Sequence, residues 1–133
     1  MDRASFGAWL DRYVEAWRTY DRAAIGDLFT EDAEYRFHPF DPPVRGRAAI
    51  VAAWLESPDA PGSWRCRYAP YAVEGDDAVA HGWTEYLVDD GETVDRRYAN
   101  AYLCRFSPDG RCASFTEYYV PQRPRAAAAA PAA

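Results

Sequence analysis

The chain has 133 residues, enough for a single domain with one core, and a hydrophobic share of 49% that rules out a disordered polymer. Its net charge of -6 argues against binding nucleic acid or an anionic membrane through bulk electrostatics. Three cysteines without CxxC spacing and only two histidines argue against a disulfide framework and a zinc site, so no metal is expected.

The N-terminus, MDRASF, lacks the basic-then-apolar layout of a signal peptide. No apolar run reaches membrane-spanning length, and the thiols read as reduced, so a cytoplasmic protein is expected. Residues 5–20 carry Phe6, Trp9, Leu10, Tyr13, Val14 and Trp17 at helical spacing, with charged residues opposite. Most of that stripe is core; Tyr13 stands apart because a buried hydroxyl needs a partner. Asp21 suits the N-cap of a short second helix over 22–29, ended by Thr30-Glu31-Asp32. Asp32 reads as a turn cap.

A strand over 33–37 follows, stopped by His38-Pro39 and a proline-rich loop that should lie at a rim. A third helix is predicted over 47–56, with Ile50, Trp54 and Leu55 on its apolar side. Beyond Gly62 the pattern turns to strands over 64–73, 79–88 and two more within 97–120, joined by short turns into an antiparallel meander. Pro70 marks an edge or a bulge in the first of them. Ser107-Pro108-Asp109-Gly110 has the composition of a tight turn between the last two strands.

Period-two alternation places Tyr98, Asn100, Tyr102 and Cys104 on one face, and Phe115, Glu117 and Tyr119 on one face of the next strand. If those faces are the same, an amide and a carboxylate stand among aromatic rings, as in a pocket. Helices followed by long antiparallel strands give an α+β fold with the helices over one sheet face. Residues 123–133 hold no pattern that could bury a side chain and are expected to form a disordered tail after a domain spanning 1–122.

Several segments resemble the NTF2-like superfamily, in particular its SnoaL-like branch of polyketide cyclases and ketosteroid isomerase-like proteins. They are Arg12-Tyr13-Val14-Glu15, Leu28-Phe29-Thr30-Glu31-Asp32-Ala33, Gly46-Arg47-Ala48-Ala49-Ile50, and Arg105-Phe106 through Asp109-Gly110-Arg111 to Glu117-Tyr118-Tyr119. The resemblance covers residues 5–122. It implies a cone: a strongly curved antiparallel sheet and three N-terminal helices enclosing a pocket. Against the steroid isomerases, their oxyanion-donating helix tyrosine falls on Tyr13. Their catalytic Asp-Pro becomes His38-Pro39 after a one-residue insertion, and their protonated aspartate falls on Tyr102. The resemblance thus implies acid–base chemistry with altered groups.

Each candidate has two readings. His38 is either a proton-transfer group, ionisable near neutrality, or a rim histidine bonded to loop backbone. Glu117 is either a desolvated acid–base group or the partner of Arg97 or Arg105. His81 and Glu85 share a strand face, and parity does not say whether it is the cavity face or an outer polar ladder. Asn100 either orients a ligand carbonyl or bridges strands, Tyr102 and Tyr119 are hydrogen-bond donors or wall, and Trp17 and Trp54 are further candidate ligand contacts. The expectation is a cofactor-independent enzyme of cyclase, isomerase or dehydratase type acting on an apolar carbonyl compound of secondary metabolism. His38, Tyr13 and Glu117 would be its catalytic residues. The alternative is a non-catalytic small-molecule-binding or structural homodimer. In either case a homodimer is expected through the outer sheet face, on Tyr68, Tyr86 and Tyr118.

Overall fold

The computed structural model describes residues 1–124; most of the predicted tail, residues 125–133, lies outside the described residues. Helix α1 (Arg3–Thr19) starts at Asp2, whose side chain accepts from the Ser5 amide, and stops at Tyr20 in the left-handed region, φ 51. Helix α2 (Arg22–Asp27) is capped by Asp21 through the Ala24 amide, as its sequence requires. Strands β1 (Phe29–Arg36) and β2 (Val44–Arg45) lead into helix α3 (Arg47–Glu56). The strands β3 (Trp64–Glu74), β4 (Asp77–Leu87), β5 (Val94–Phe106) and β6 (Cys112–Pro121) then run as an antiparallel meander.

All six strands form one sheet, in the order β2-β1-β6-β5-β4-β3. The pairing of β1 with β6 is parallel, so the sheet is mixed, with a register shift between Phe29 and Glu34. Strand β1 begins at Phe29, four residues before the predicted start, and α2 stops two residues short of its predicted end. The reason is long-range: the Cys112 amide donates to the Leu28 carbonyl, and the Arg47 guanidinium clamps the Phe29 carbonyl at 2.8 and 3.0 Å. Asp32 therefore sits on a strand, accepting from the Thr30 hydroxyl, rather than capping a turn.

The core lies between the helices and the concave sheet face. Phe6, Trp9, Leu10, Tyr13 and Ala16 of α1 meet Ile50, Val51 and Trp54 of α3 over Tyr102, Cys104 and Phe106 of β5 and Phe115 of β6. Trp9 is fully buried and donates its indole N–H to the Leu28 carbonyl at 3.1 Å, which satisfies the polar atom that burial would otherwise orphan. The register of β3 shifts between Pro70 and Ala72, the bulge anticipated at that proline on an edge strand. The Pro70 and Tyr71 carbonyls accept from the Arg3 guanidinium, which ties the start of α1 to the sheet edge. Cys66, Cys104 and Cys112 are free thiols, and no helix among the described residues is long and apolar enough to cross a membrane.

The outer sheet face differs from expectation at two positions. Tyr68 and Tyr86 point into the concave side, because Tyr68 shares parity with Trp64 and Cys66, and Tyr86 with Thr84. Tyr118 is outside, 42% exposed, near Leu103 and Val120. The face carries His81 and Glu85, with Glu85 held between Arg65 at 2.6 Å and Arg97 at 3.0 Å.

Gly82 sets the curvature. It lies in β4 opposite Tyr68 on one side and Asn100 on the other. A Cβ there would lie 1.8 Å from the Arg67 carbonyl oxygen and 2.9 Å from Tyr68 Cα. Backbone cannot yield as a flexible side chain would, so only glycine lets β3 bend this closely over β4. Gly82→Ala is expected to cost about 2–3 kcal/mol in urea unfolding. An unchanged midpoint would show that the two strands part without penalty.

Candidate functional site

The bend and the helices leave a cavity of about 520 Å3 on the concave side. Three of the phenols that line it, Tyr13, Tyr35 and Tyr102, rest on the fully buried ring of Phe115 of β6 behind them. Tyr35 stacks on that ring at 4.6 Å and 6°, Tyr13 at 5.5 Å and 17°, and Tyr102 tilts against it at 5.0 Å. The rings come from β1, α1 and β5, so three separate segments meet on one aromatic plate. The Tyr13 and Tyr35 hydroxyls are 3.4 Å apart. Burial raises all three phenols well above their ordinary pKa, so they are neutral O–H groups at any working pH. Trp54 adds an indole N–H that is buried beside the Tyr35 phenol and has no hydrogen bond of good geometry among the described residues.

Glu117 follows Phe115 on the same face and pairs in register with Tyr102. The two strand faces singled out in the sequence are therefore one wall: Cys104 faces Phe115, Tyr102 faces Glu117, and Asn100 faces Tyr119. Burial pushes the Glu117 carboxyl up to about 7, against the single donor that lowers it, the Asn100 amide at 3.2 Å. The arginines that offered an alternative explanation are engaged elsewhere, Arg97 with Glu85 and Arg105 with Asp77. Behind Asn100, the Thr84 hydroxyl donates to its carbonyl oxygen at 2.8 Å, and Tyr68 bonds Thr84 in turn.

The mouth is built differently. Trp17 stacks face to face on Trp64, at 3.5 Å and 7°, and donates to Asp59 at 3.0 Å. The Tyr20 hydroxyl accepts from the Asp59 amide at 2.8 Å and donates to its carboxylate. These bonds hold the segment after α3 against the end of α1. Arg96 lies over the Tyr86 ring, 4.6 Å from its centre. His38 lines the same cavity but is exposed at its edge, with its ring 5.2 Å from that of Tyr119.

All eight residues singled out from sequence, Tyr13, Trp17, His38, Trp54, Asn100, Tyr102, Glu117 and Tyr119, line this one cavity. They are not equivalent: Tyr13 and Tyr102 are buried, Glu117 is half-buried, and His38 is exposed at the entrance. Tyr35, Tyr68, Thr84, Tyr86 and Asp59 were not foreseen there. The signal for Thr84 and Tyr86 was available, since Arg65, Glu85 and Arg97 stand side by side across three strands. An ion-paired ladder of that kind belongs to solvent, which assigns the opposite parity to the cavity. Nothing local pointed to Asp59. No cluster of three or more His, Cys, Asp or Glu side chains that could hold a metal ion occurs among the described residues.

Comparison with known proteins agrees with this architecture. An NTF-2 like protein of unknown function from Burkholderia xenovorans superposes with a TM-score of 0.70 at 17% identity, over 93% of this chain and 89% of that one. A candidate ketosteroid isomerase from Kribbella flavida superposes with a TM-score of 0.65 at 20% identity, over 98% and 86%. A protein from Sphaerobacter thermophilus gives 0.65 at 18% identity, over 84% and 93%. These likenesses establish the fold. No curated protein matches the sequence. The sequence model of the SnoaL-like domain matches residues 10–115, most of the chain, and with that match the chain belongs to the SnoaL-like family of the NTF2-like superfamily.

Proposed function

We propose that the protein is a cofactor-independent acid–base enzyme of the cyclase, isomerase or dehydratase type, acting on an apolar small molecule that carries a carbonyl group. The observation that supports this most is the Glu117 carboxyl, raised to about 7 within a cavity lined by neutral phenols. At that value it is present both as base and as acid at neutral pH, the condition under which one group can take and return a proton. In this reading the ionised carboxylate removes a proton from the carbon next to the carbonyl. The electron pair moves onto the carbonyl oxygen, where the Tyr13 and Tyr102 hydroxyls donate to the developing oxyanion. The carboxylic acid then returns the proton to another atom of the substrate. Only protons and electron pairs move, so the scheme calls for no cofactor. Trp17, Trp54, Asn100 and Tyr119 form walls for a flat apolar body, and His38 exchanges protons with solvent at the entrance.

A binding protein without chemistry is the second reading, favoured by the exposure of His38. Hydrogen–deuterium exchange separates the two. With 2-tetralone as a probe ketone in deuterated buffer, the protein is expected to accelerate exchange next to the carbonyl, with the rate rising as pH passes through about 7. Glu117→Gln should lower that rate by about 10²-fold or more, and Tyr13→Phe or His38→Ala by less. Exchange that Glu117→Gln leaves intact would contradict the assignment, and no acceleration at all would favour the binding reading.

The same carboxyl makes stability depend on pH. The folded chain holds the Glu117 proton up to about 7, whereas the unfolded chain releases it near the ordinary glutamate value of about 4.3. Its stabilising contribution is therefore full below the lower value and is lost as pH rises through the upper one. Glu117→Gln, neutral throughout, is expected to raise stability by on the order of 2–3 kcal/mol near pH 8 and by much less near pH 5, read as the gap in Tm from the parent. An equal gap at both pH values would show that the carboxyl is solvated.

A further inference from the structure

We propose that Thr84 and Tyr68 are positioning residues for Glu117, the head of a one-way hydrogen-bond relay that commits one carboxyl oxygen to the protein and leaves the other to exchange the proton. The direction follows from counting hydrogens. A threonine hydroxyl has one proton, and Thr84 gives it to Asn100 Oδ1 at 2.8 Å. In its contact with Tyr68, Thr84 is then the acceptor, and the phenol donates. The Asn100 amide, with its oxygen occupied by Thr84, presents Nδ2 to Glu117 Oε2 at 3.2 Å. With Glu117 ionised, turning the amide over would set its oxygen against the carboxylate, so the charge and the relay favour the same orientation.

Thr84 and Asn100 are 3% and 7% exposed, so the bond between them is largely shielded from solvent. Oε2 is thereby held, while Glu117 Oε1 has no partner among the described residues. A proton on Oε2 would face an N–H, so the acid form carries it on Oε1. The groups that face Glu117 from the packed elements are phenols: Tyr13 of α1, Tyr35 of β1, Tyr68 of β3, Tyr86 of β4 and Tyr102 of β5. Burial raises each of them, and none ionises in the range where Glu117 titrates. The charged mouth residues Glu56, Asp59 and Arg96 line the same cavity, as does His38.

The positioning role rests on the reading of Glu117 as the proton-transfer group, but its test needs no substrate. Protein labelled with ¹³C at glutamate side-chain carboxyls is titrated by NMR, and the Glu117 signal is identified by its loss in Glu117→Gln. A repeat in a His38→Ala background shows that the curve does not depend on the imidazole. Thr84→Val, equal in volume but unable to donate, is expected to raise the Glu117 midpoint by about one pKa unit, because the donor to the ionised form is no longer held. Thr84→Ser should restore it, and Tyr68→Phe should raise it by less. An unchanged midpoint in Thr84→Val overturns the relay; should that variant not fold, an unchanged midpoint in Tyr68→Phe does so. If the midpoints move as expected while 2-tetralone exchange survives in Glu117→Gln, the relay stands and the catalytic reading fails.

Discussion

A carboxyl group kept in a hollow among phenols, with no ion pair among the described residues, is the constraint on which the rest of this molecule turns. Taking an ion out of water is so costly that an unpaired buried carboxyl shifts its protonation instead. The sheet provides its own contrast. Glu85, on the opposite face, is the more covered of the two, buried where Glu117 is half-buried, but two arginines pair with it. Glu117 receives one amide hydrogen bond and five phenols that cannot neutralise it. The same residue type on two faces of one sheet thus serves two ends: one is a structural ion pair, the other a group poised between acid and base.

What keeps the hollow open is geometry as much as chemistry. Phe115 gives the three deep phenols a common plate, so their hydroxyls gather in one region although they come from a helix and two strands. Gly82 removes a side chain between Tyr68 and Asn100 and lets the edge strand fold inward. A conventional residue there would push β3 outward and open the cavity to water, which would return Glu117 to an ordinary carboxylate.

Much of this was legible in the residues. Helical spacing gave α1, Asp21 marked the next cap, and Pro70 marked the bulge. Alternation along the last two strands placed Asn100, Tyr102 and Glu117 together, and turn chemistry set their register. The failures share a cause: they depend on pairings between distant segments. Nothing near Phe29 announces a parallel partner some eighty residues on, so β1 was begun too late. Tyr68 and Tyr86 face inward because the Arg65–Glu85–Arg97 row, which runs across three strands and is not visible in any one segment, takes the outer face. For Glu117, sequence supplied candidate arginine partners, and only cross-strand geometry shows both bound elsewhere. His38 was aligned by its neighbouring proline, a loop feature that does not determine depth.

The central claim is that Glu117 holds a proton near neutrality. The most direct measurement is pH-difference infrared spectroscopy of the protein against its Glu117→Gln variant, reading the carbonyl stretch of a protonated carboxyl. The account predicts a band present at pH 5 and 6 that disappears with a midpoint near 7 and is missing from the variant. A midpoint at the ordinary glutamate value of about 4.3 would contradict it, for the carboxyl would then be hydrated and the cavity would have no group poised to take and return a proton.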